Sequence, residues 1–296
     1  QAAQAEPSVA ILDVEHISAL YGKAKWRDPV LWHAAKQTPT HDALPLLAKH
    51  HMSLICAAMG LTRKCLVLDL DDTLWGGVIG EDGLSGIQLG GDAAGEAFVA
   101  FQHYVKSLKQ RGIILAVNSK NNEADAKLPF QQHRDMVLTL DDIAVFVANW
   151  QNKDDNLRHI AATLNIGLDS LVFADNNPVE RNWVRQQLPE VAVPELPEDP
   201  AGYIAALHNG LYFETLSLTN EDRLRADAYR DNARRSASLA NAGDIEAYLA
   251  SLEMQAELRP FDELDLSRIT QLINKTNQFN LTTRRVTEAQ VREWMS

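Results

Sequence analysis

Short, wholly apolar runs alternate along this chain with stretches in which apolar residues recur at steps of three and four. The first kind reads as buried strand and the second as amphipathic helix. The clearest strands lie at about 65–70, at Ile113–Val117 and at Leu171–Phe173. Met136–Leu138, Val145–Val147 and Val191–Val193 are shorter candidates. A helix is expected at Asp42–Met59, where Leu44, Leu47, Ile55 and Ala58 form an apolar stripe. Further helices are expected at Ala94–Gln110 with Gly112 as its stop, from Asn122 to Phe130, at Asp154–Leu164 and at Val179–Gln187. Gly76, Gly77, Gly80, Gly83 and Gly86 mark a turning, flap-like segment after the first strand. Apolar strands alternating with helices predict an α/β fold, a parallel sheet wrapped by helices.

The texture changes beyond Pro200. Thr219 with Asp222 has the pattern of a capping box opening a charged helix to about Ser238. Helices at Asp244–Leu252 and Leu266–Asn274, a strand at Met254–Leu258 and a last helix opened by Thr287 and Gln290 follow. The expected organisation is an N-terminal extension over 1–62, a core over 63–214 and a mostly helical C-terminal subdomain over 215–296. The chain starts at Gln1 and ends at Ser296 inside a helical pattern, so it is expected to be a piece of a longer protein, with 1–62 the tail of an upstream region.

Composition narrows the class. With 46% hydrophobic and 23% charged residues the chain is an ordinary globular one, and no apolar run approaches the ~20 residues a membrane span needs. The first twenty residues lack a basic segment followed by an apolar one, the pattern of a secretory signal. Cys56 and Cys65 make no disulfide framework, and the scattered histidines have no metal spacing. A reducing cytoplasm is the expected location. The net charge of −12 argues against binding nucleic acid or a membrane surface.

The candidate chemistry sits where the first strand ends, in Asp69-Leu70-Asp71-Asp72-Thr73. Alternate strand residues face the same way, so Asp69 and Asp71 reach one site beyond the strand's C-terminal end, where open parallel sheets bind ligands. Carboxylates crowded there repel unless a proton or cation lies between them, and Mg²⁺ suits such oxygen donors. Ser119 follows the second strand, where its hydroxyl and helix N-terminal amides suit a phosphate; Ser is also a common N-cap. Trp75-Gly76-Gly77 offers close backbone approach and an indole that either walls the site or joins the core. Arg181 and Arg185, one turn apart, face either a substrate phosphate or solvent.

The pattern resembles the nucleophile motif of the haloacid-dehalogenase (HAD) superfamily, and six ordered blocks sharpen the likeness. Asp69 to Asp82 reads DLDDTLWGGVIGED, Ala116 to Ala126 AVNSKNNEADA, and Val147 to Gly167 VANWQNKDDNLRHIAATLNIG. VFADNNPVERN (Val172 to Asn182), PELPEDP (Pro194 to Pro200) and KTNQFNLTTRR (Lys275 to Arg285) follow in order. Together they resemble the FkbH-like glyceryl transferase/phosphatase domains of polyketide pathways.

The resemblance implies a capless, Rossmann-like HAD core with helical additions at both ends. It implies Asp69 as nucleophile, Asp71 as acid/base, Ser119 as phosphate ligand and Lys153, or the weaker rival Lys120, as the neutralising cation. Mg²⁺ would be held by Asp69, the Asp71 carbonyl, Asp175 and Asn176. Asn176 stands where the family usually has a second Asp, and Glu180 is a candidate to supply the missing carboxylate or else to form a salt bridge to a neighbouring Arg. Asn118 stands where many relatives carry a Cys proposed to take a glyceryl thioester. The implied activity is glyceryl transfer from D-1,3-bisphosphoglycerate to the phosphopantetheine arm of an acyl carrier protein, with phosphate removal. A plain Mg²⁺-dependent phosphatase and a degenerate carrier-docking module are the alternatives.

Overall fold

A computed structural model of the chain describes residues 9–216, 218, 220–241, 255–275 and 286–295. Among the described residues, four helices precede the sheet: α1 (Val14–Tyr21), α2 (Lys23–Trp26), α3 (Pro29–Ala35) and α4 (Leu44–Met59). The lack of a clear period over the first 25 residues hid α1, whose start is fixed by Asp13 accepting from the His16 amide at 2.8 Å. α4 forms as expected, but its stripe does not face a core. Leu44 and Ile55 are exposed, and only Leu46 and Leu47 pack on the small cluster of Ile17, Trp26 and Ala43.

The core then runs β1 (Cys65–Leu68), α5 (Ile79–Gly86), α6 (Ala93–Gln110), β2 (Ile114–Ser119), α7 (Glu123–Gln132), β3 (Val145–Ala148), α8 (Lys153–Leu164), β4 (Leu171–Ala174), α9 (Pro178–Gln187) and α10 (Tyr203–His208). The sheet is parallel, in the order β3-β2-β1-β4. β1 is central, with Cys65 opposite Ile114 on one side and Leu171 on the other.

The two-residue strand period sorts the core into layers. Leu66, Leu68, Leu115, Val117, Val172 and Ala174 pack with Phe98, Phe101 and Leu108 of α6 and with Tyr203. Cys65, Val67, Ile114, Ala116, Leu171 and Phe173 pack on the opposite face with Leu157, Ile160 and Leu164 of α8 and Val184 of α9. Continuous apolar strands are thus buried on both faces, as parallel sheets require. Only α5 and α6 lie between β1 and β2, and only α7 and one 3-10 turn between β2 and β3. Neither connection holds a cap domain.

Several expected elements differ. Met136–Leu138 is not a strand: the Val137 and Leu138 amides donate to Gln102 Oε1 of α6 (2.9 and 3.2 Å) instead of to a neighbouring strand. Val191–Val193 contributes one parallel bridge, Ala192 to Val172. The glycine-rich flap contains α5, kinked at Gly83, and is closed by an antiparallel bridge from Gly76 to Gln88.

The chain divides into two compact units, 1–240 and 241–296. The boundary falls later than 215 because Ala233 of α11 (Asn220–Asn241) packs into the sheet core. In the second unit α12 (Leu266–Lys275) and α13 (Glu288–Met295) close a small cluster of Leu266, Val286 and Val291. The expected capping box opens α13: the Thr287 amide donates to Gln290 Oε1 (2.9 Å) and the Gln290 amide to Thr287 Oγ1 (3.3 Å). Residues 255–258 of the expected strand have no regular structure. The expected helix at Asp244–Leu252, Thr219, Met254 and the amide-rich Asn277–Asn280 lie outside the described residues.

Candidate active site

The C-terminal ends of β1, β2 and β4 bring the acids together. The Asp69 amide donates to the Ala174 carbonyl (2.9 Å), extending the ladder one residue past β1 and fixing where the side chain emerges. A cavity of about 200 Å³ opens there, lined by Asp69, Asp71, Asp72, Ser119, Lys120, Lys153, Asn176, Asn177 and Glu180. A larger groove, about 480 Å³, between α6 and Arg134–Val137 holds none of the DxD acids.

Lys153, the first residue of α8, is 3% exposed. Its ammonium lies 2.9 Å from Asp69 Oδ2 and also pairs with Asp175 Oδ2. Burial alone would lower the pKa of Lys153, but the two carboxylates outweigh it and hold the lysine above its ordinary value. Asp175, fully buried after β4, is lifted to about 6, by burial first and then by the nearby Asp69 charge, against the pull of Lys153. Its other oxygen accepts from the Asn177 amide at 2.8 Å. Two buried carboxylates therefore share one ammonium, and the site is short of positive charge.

Asp71 is held from three directions. Oδ1 accepts from Trp75 Nε1 and from the Ile79 amide, both at 3.0 Å, and Oδ2 from Asn121 Nδ2 at 2.7 Å. Burial, aided by the Asp69 charge, lifts its pKa above the ordinary value while these donors pull it down. Trp75 is fully buried and meets Phe130 edge to face, so the indole is a core residue that anchors Asp71, and it does not wall the site. Asp72 has a left-handed backbone (φ 52°), with its carboxylate accepting from the Gly77 amide (2.7 Å) and its carbonyl from the Tyr203 hydroxyl (2.9 Å). Gly77 has φ 87°, and a Cβ there would stand 2.6 Å from Asp82 Oδ2, so this tight turn demands glycine.

Ser119 ends β2 with its side chain against the cavity, and α7 is capped by Asn122, so Ser119 is not an N-cap. Lys120 pairs with Glu180 Oε1 at 2.6 Å. Glu180 thus forms the salt bridge, but to Lys120 and not to an arginine. Arg181 donates to the carbonyls of Asp175 (2.9 Å) and Asn176 (2.6 Å) and pairs with Glu195, which Arg185 also reaches at 2.7 Å. Arg181 braces the loop after β4, Arg185 bonds the Val193 carbonyl (2.9 Å), and neither lines the cavity.

Asn118 is fully buried, donating to the Lys153 carbonyl (2.9 Å) and accepting from Asn156 (3.1 Å). Asn176 stays beside Thr73, whose hydroxyl contacts its amide oxygen at 3.4 Å and accepts from its backbone amide at 3.2 Å. Among the described residues no three His, Cys, Asp or Glu side chains converge as a metal cage. A cation at this site would take Asp69 and Asp175 together with neutral oxygens.

Sequence reasoning missed Asp72, Asn121, Asn177 and Tyr203. Asn177-Pro178 carries a readable signal, an N-cap followed by proline at the first helical position. Asn121 and Tyr203 carry none, since their roles arise from tertiary contact.

No family model matches the chain, and no curated protein matches it. Among solved structures it is similar to the N-terminal part of the protein BF1531 from Bacteroides fragilis, which contains a phosphatase domain and was crystallised in complex with Mg. The two share 52% sequence identity with a TM-score of 0.71, over 73% of this chain and 58% of that one. The chain therefore spans under two thirds of that relative's length. Its fold is the capless, HAD-type Rossmann-like arrangement of parallel strands and flanking helices.

Proposed function

We propose that this chain is a Mg²⁺-dependent phosphatase that works through a phosphoaspartate on Asp69. The observation that carries the reading is the convergence of Asp69, Asp71, Ser119 and Lys153 on one cavity, with Asp175 ion-paired behind them. The likeness to a phosphatase domain complexed with Mg supports it.

The donor set fits Mg²⁺. Asp69 and Asp175 are buried with one lysine between them, and Mg²⁺ is commonly bound by one or two carboxylates plus substrate phosphate and water. Asp69, Asp175, the Asp71 carbonyl and the Asn176 amide oxygen would hold it. When bound, the ion would neutralise phosphate charge and so let one anion approach another.

The chain's own groups supply the rest. Asp69 attacks phosphorus, and the bond to the leaving oxygen breaks as that oxygen takes a proton from Asp71. Water then attacks the phosphoaspartate, returning a proton to Asp71, and the carboxylate and inorganic phosphate part. Lys153 holds Asp69 in place and offsets charge, while the Ser119 hydroxyl donates to a phosphate oxygen.

The finer reading is that the substrate is D-1,3-bisphosphoglycerate, that the phosphopantetheine thiol of an acyl carrier protein attacks its C1 carbonyl and displaces the C1 phosphate, and that the remaining phosphate is removed by hydrolysis. The six ordered blocks and the open, capless site support it, since a tethered arm needs access. Asn118, buried against Lys153 and Asn156, favours direct transfer to the carrier thiol over an enzyme-bound intermediate at that position. Intact mass spectrometry of a phosphopantetheinylated carrier, incubated with the chain, Mg²⁺ and bisphosphoglycerate, tests both readings. A dephosphorylated glyceryl adduct supports the finer one; free phosphate with an unmodified carrier leaves the phosphatase. Undiminished phosphate release by Asp69→Asn would overturn both.

A further inference from the structure

We propose that Asn121 is a positioning residue that aims both the proton-carrying oxygen of Asp71 and the hydroxyl of Ser119 at the substrate phosphate. The inference rests on the phosphoaspartate reading and deepens it.

Asn121 is 3% exposed and lies in the turn between Ser119 and the Asn122 cap of α7. Its single amide nitrogen donates to Asp71 Oδ2 at 2.7 Å and to Ser119 Oγ at 3.2 Å. Its amide oxygen faces the flap, 3.8 Å from where a Cβ on Gly80 would stand. A carboxylate oxygen has two lone-pair positions. On Asp71, Oδ1 spends both on Trp75 and Ile79, whereas Oδ2 spends one on Asn121. The free position is therefore on Oδ2, and its direction is set by Asn121.

The second contact acts on the phosphate side. A hydroxyl that accepts from Asn121 keeps its own hydrogen to donate. Ser119 therefore has its O–H available for a phosphate oxygen in the cavity. One side-chain amide thus orients the acid/base group and the phosphate donor together.

The test compares wild type, Asn121→Ala and Asn121→Leu on p-nitrophenyl phosphate and glycerol 3-phosphate, with Asp69→Asn alongside. Nitrophenolate leaves without a proton, so forming the phosphoaspartate from that ester does not need Asp71 as acid. Its hydrolysis still needs Asp71 as base. Both Asn121 variants are expected to show a nitrophenolate burst near one per enzyme, followed by turnover slowed about tenfold or more. On glycerol 3-phosphate kcat should fall about 100-fold, within the range of general acid catalysis, with KM changed less than about threefold.

Asn121→Leu is close to isosteric, uncharged and removes the donor without opening a void, so it carries the test if the alanine variant fails to fold. Equal losses on both substrates without a burst, or no loss on either, would overturn the assignment. Turnover that survives Asp69→Asn would instead overturn the phosphoaspartate reading. Turnover that needs Asp69 but ignores both Asn121 variants would overturn the Asn121 assignment alone.

Discussion

Asn118 donates its side-chain amide to the backbone carbonyl of Lys153, 2.9 Å away, tying the end of β2 to the first turn of the helix that carries the site's buried lysine. Asn118→Ala would leave that carbonyl and the Asn156 amide short of partners, and should destabilise the fold by about 1–3 kcal/mol in urea unfolding. Asn118→Cys should show the same loss. Because position 118 is fully buried, it should also gain no glyceryl adduct on the enzyme by intact mass.

Lys153 holds two carboxylates out of solvent. Lys153→Met keeps the side chain's bulk but leaves Asp69 and Asp175 without their cation, so about 3–5 kcal/mol of stability should be lost. Mg²⁺ at a fixed concentration should raise the melting midpoint of this variant more than that of wild type, because removing the competing ammonium tightens cation binding and the stabilisation grows with concentration over Kd. A loss below about 1 kcal/mol would show that the two ion pairs of Lys153 add little to stability.

Glu180 and Lys120 are partners at the cavity rim, 2.6 Å apart. Glu180→Gln should release Lys120 to the substrate, lowering KM for a phosphomonoester about two- to fivefold, the scale of one ion pair at the protein surface. The Mg²⁺ concentration for half-maximal activity should stay within about twofold. A steep rise in that concentration would instead place Glu180 among the metal's ligands.

Asp142 supplies a pH signature away from the site. Burial pushes its pKa up, but the Thr139 amide (2.8 Å), Lys109 (3.1 Å) and the Thr139 hydroxyl (3.0 Å) outweigh this and hold it below the ordinary 3.8. A carboxylate depressed in the folded state adds stability that is present above the unfolded value and lost as pH falls through the folded one. Urea midpoints of wild type and Asp142→Asn should therefore differ at pH 7 and converge as the pH drops below about 3.8.

Much of the site was legible because its residues sit on strand ends that announce themselves. Asp69, Ser119 and Asp175 each follow an apolar run, and Lys153 opens a helix with a plain apolar stripe. The misreadings share a different cause. Val137 and Leu138 have strand composition, yet their amides are taken by Gln102 from α6, which no local pattern reveals. The spacing of Arg181 and Arg185 left phosphate and solvent both open, whereas Glu195, ten residues or more along the chain, engages both. The α4 stripe was correctly periodic, but periodicity states that a face is apolar and not that anything covers it.

Between β2 and β4, β1 has ladder bonds on both sides and no side chain in contact with solvent, and the Asp69 amide is the next rung, bonded to Ala174. Local fraying cannot open such a position; only the cooperative melting of the whole sheet can. The backbone that presents the reacting carboxylate is thereby insulated from the small openings that reach loops and ends. Its amide proton should be among the slowest to exchange for deuterium. On heating, the site should fail together with the fold and not ahead of it.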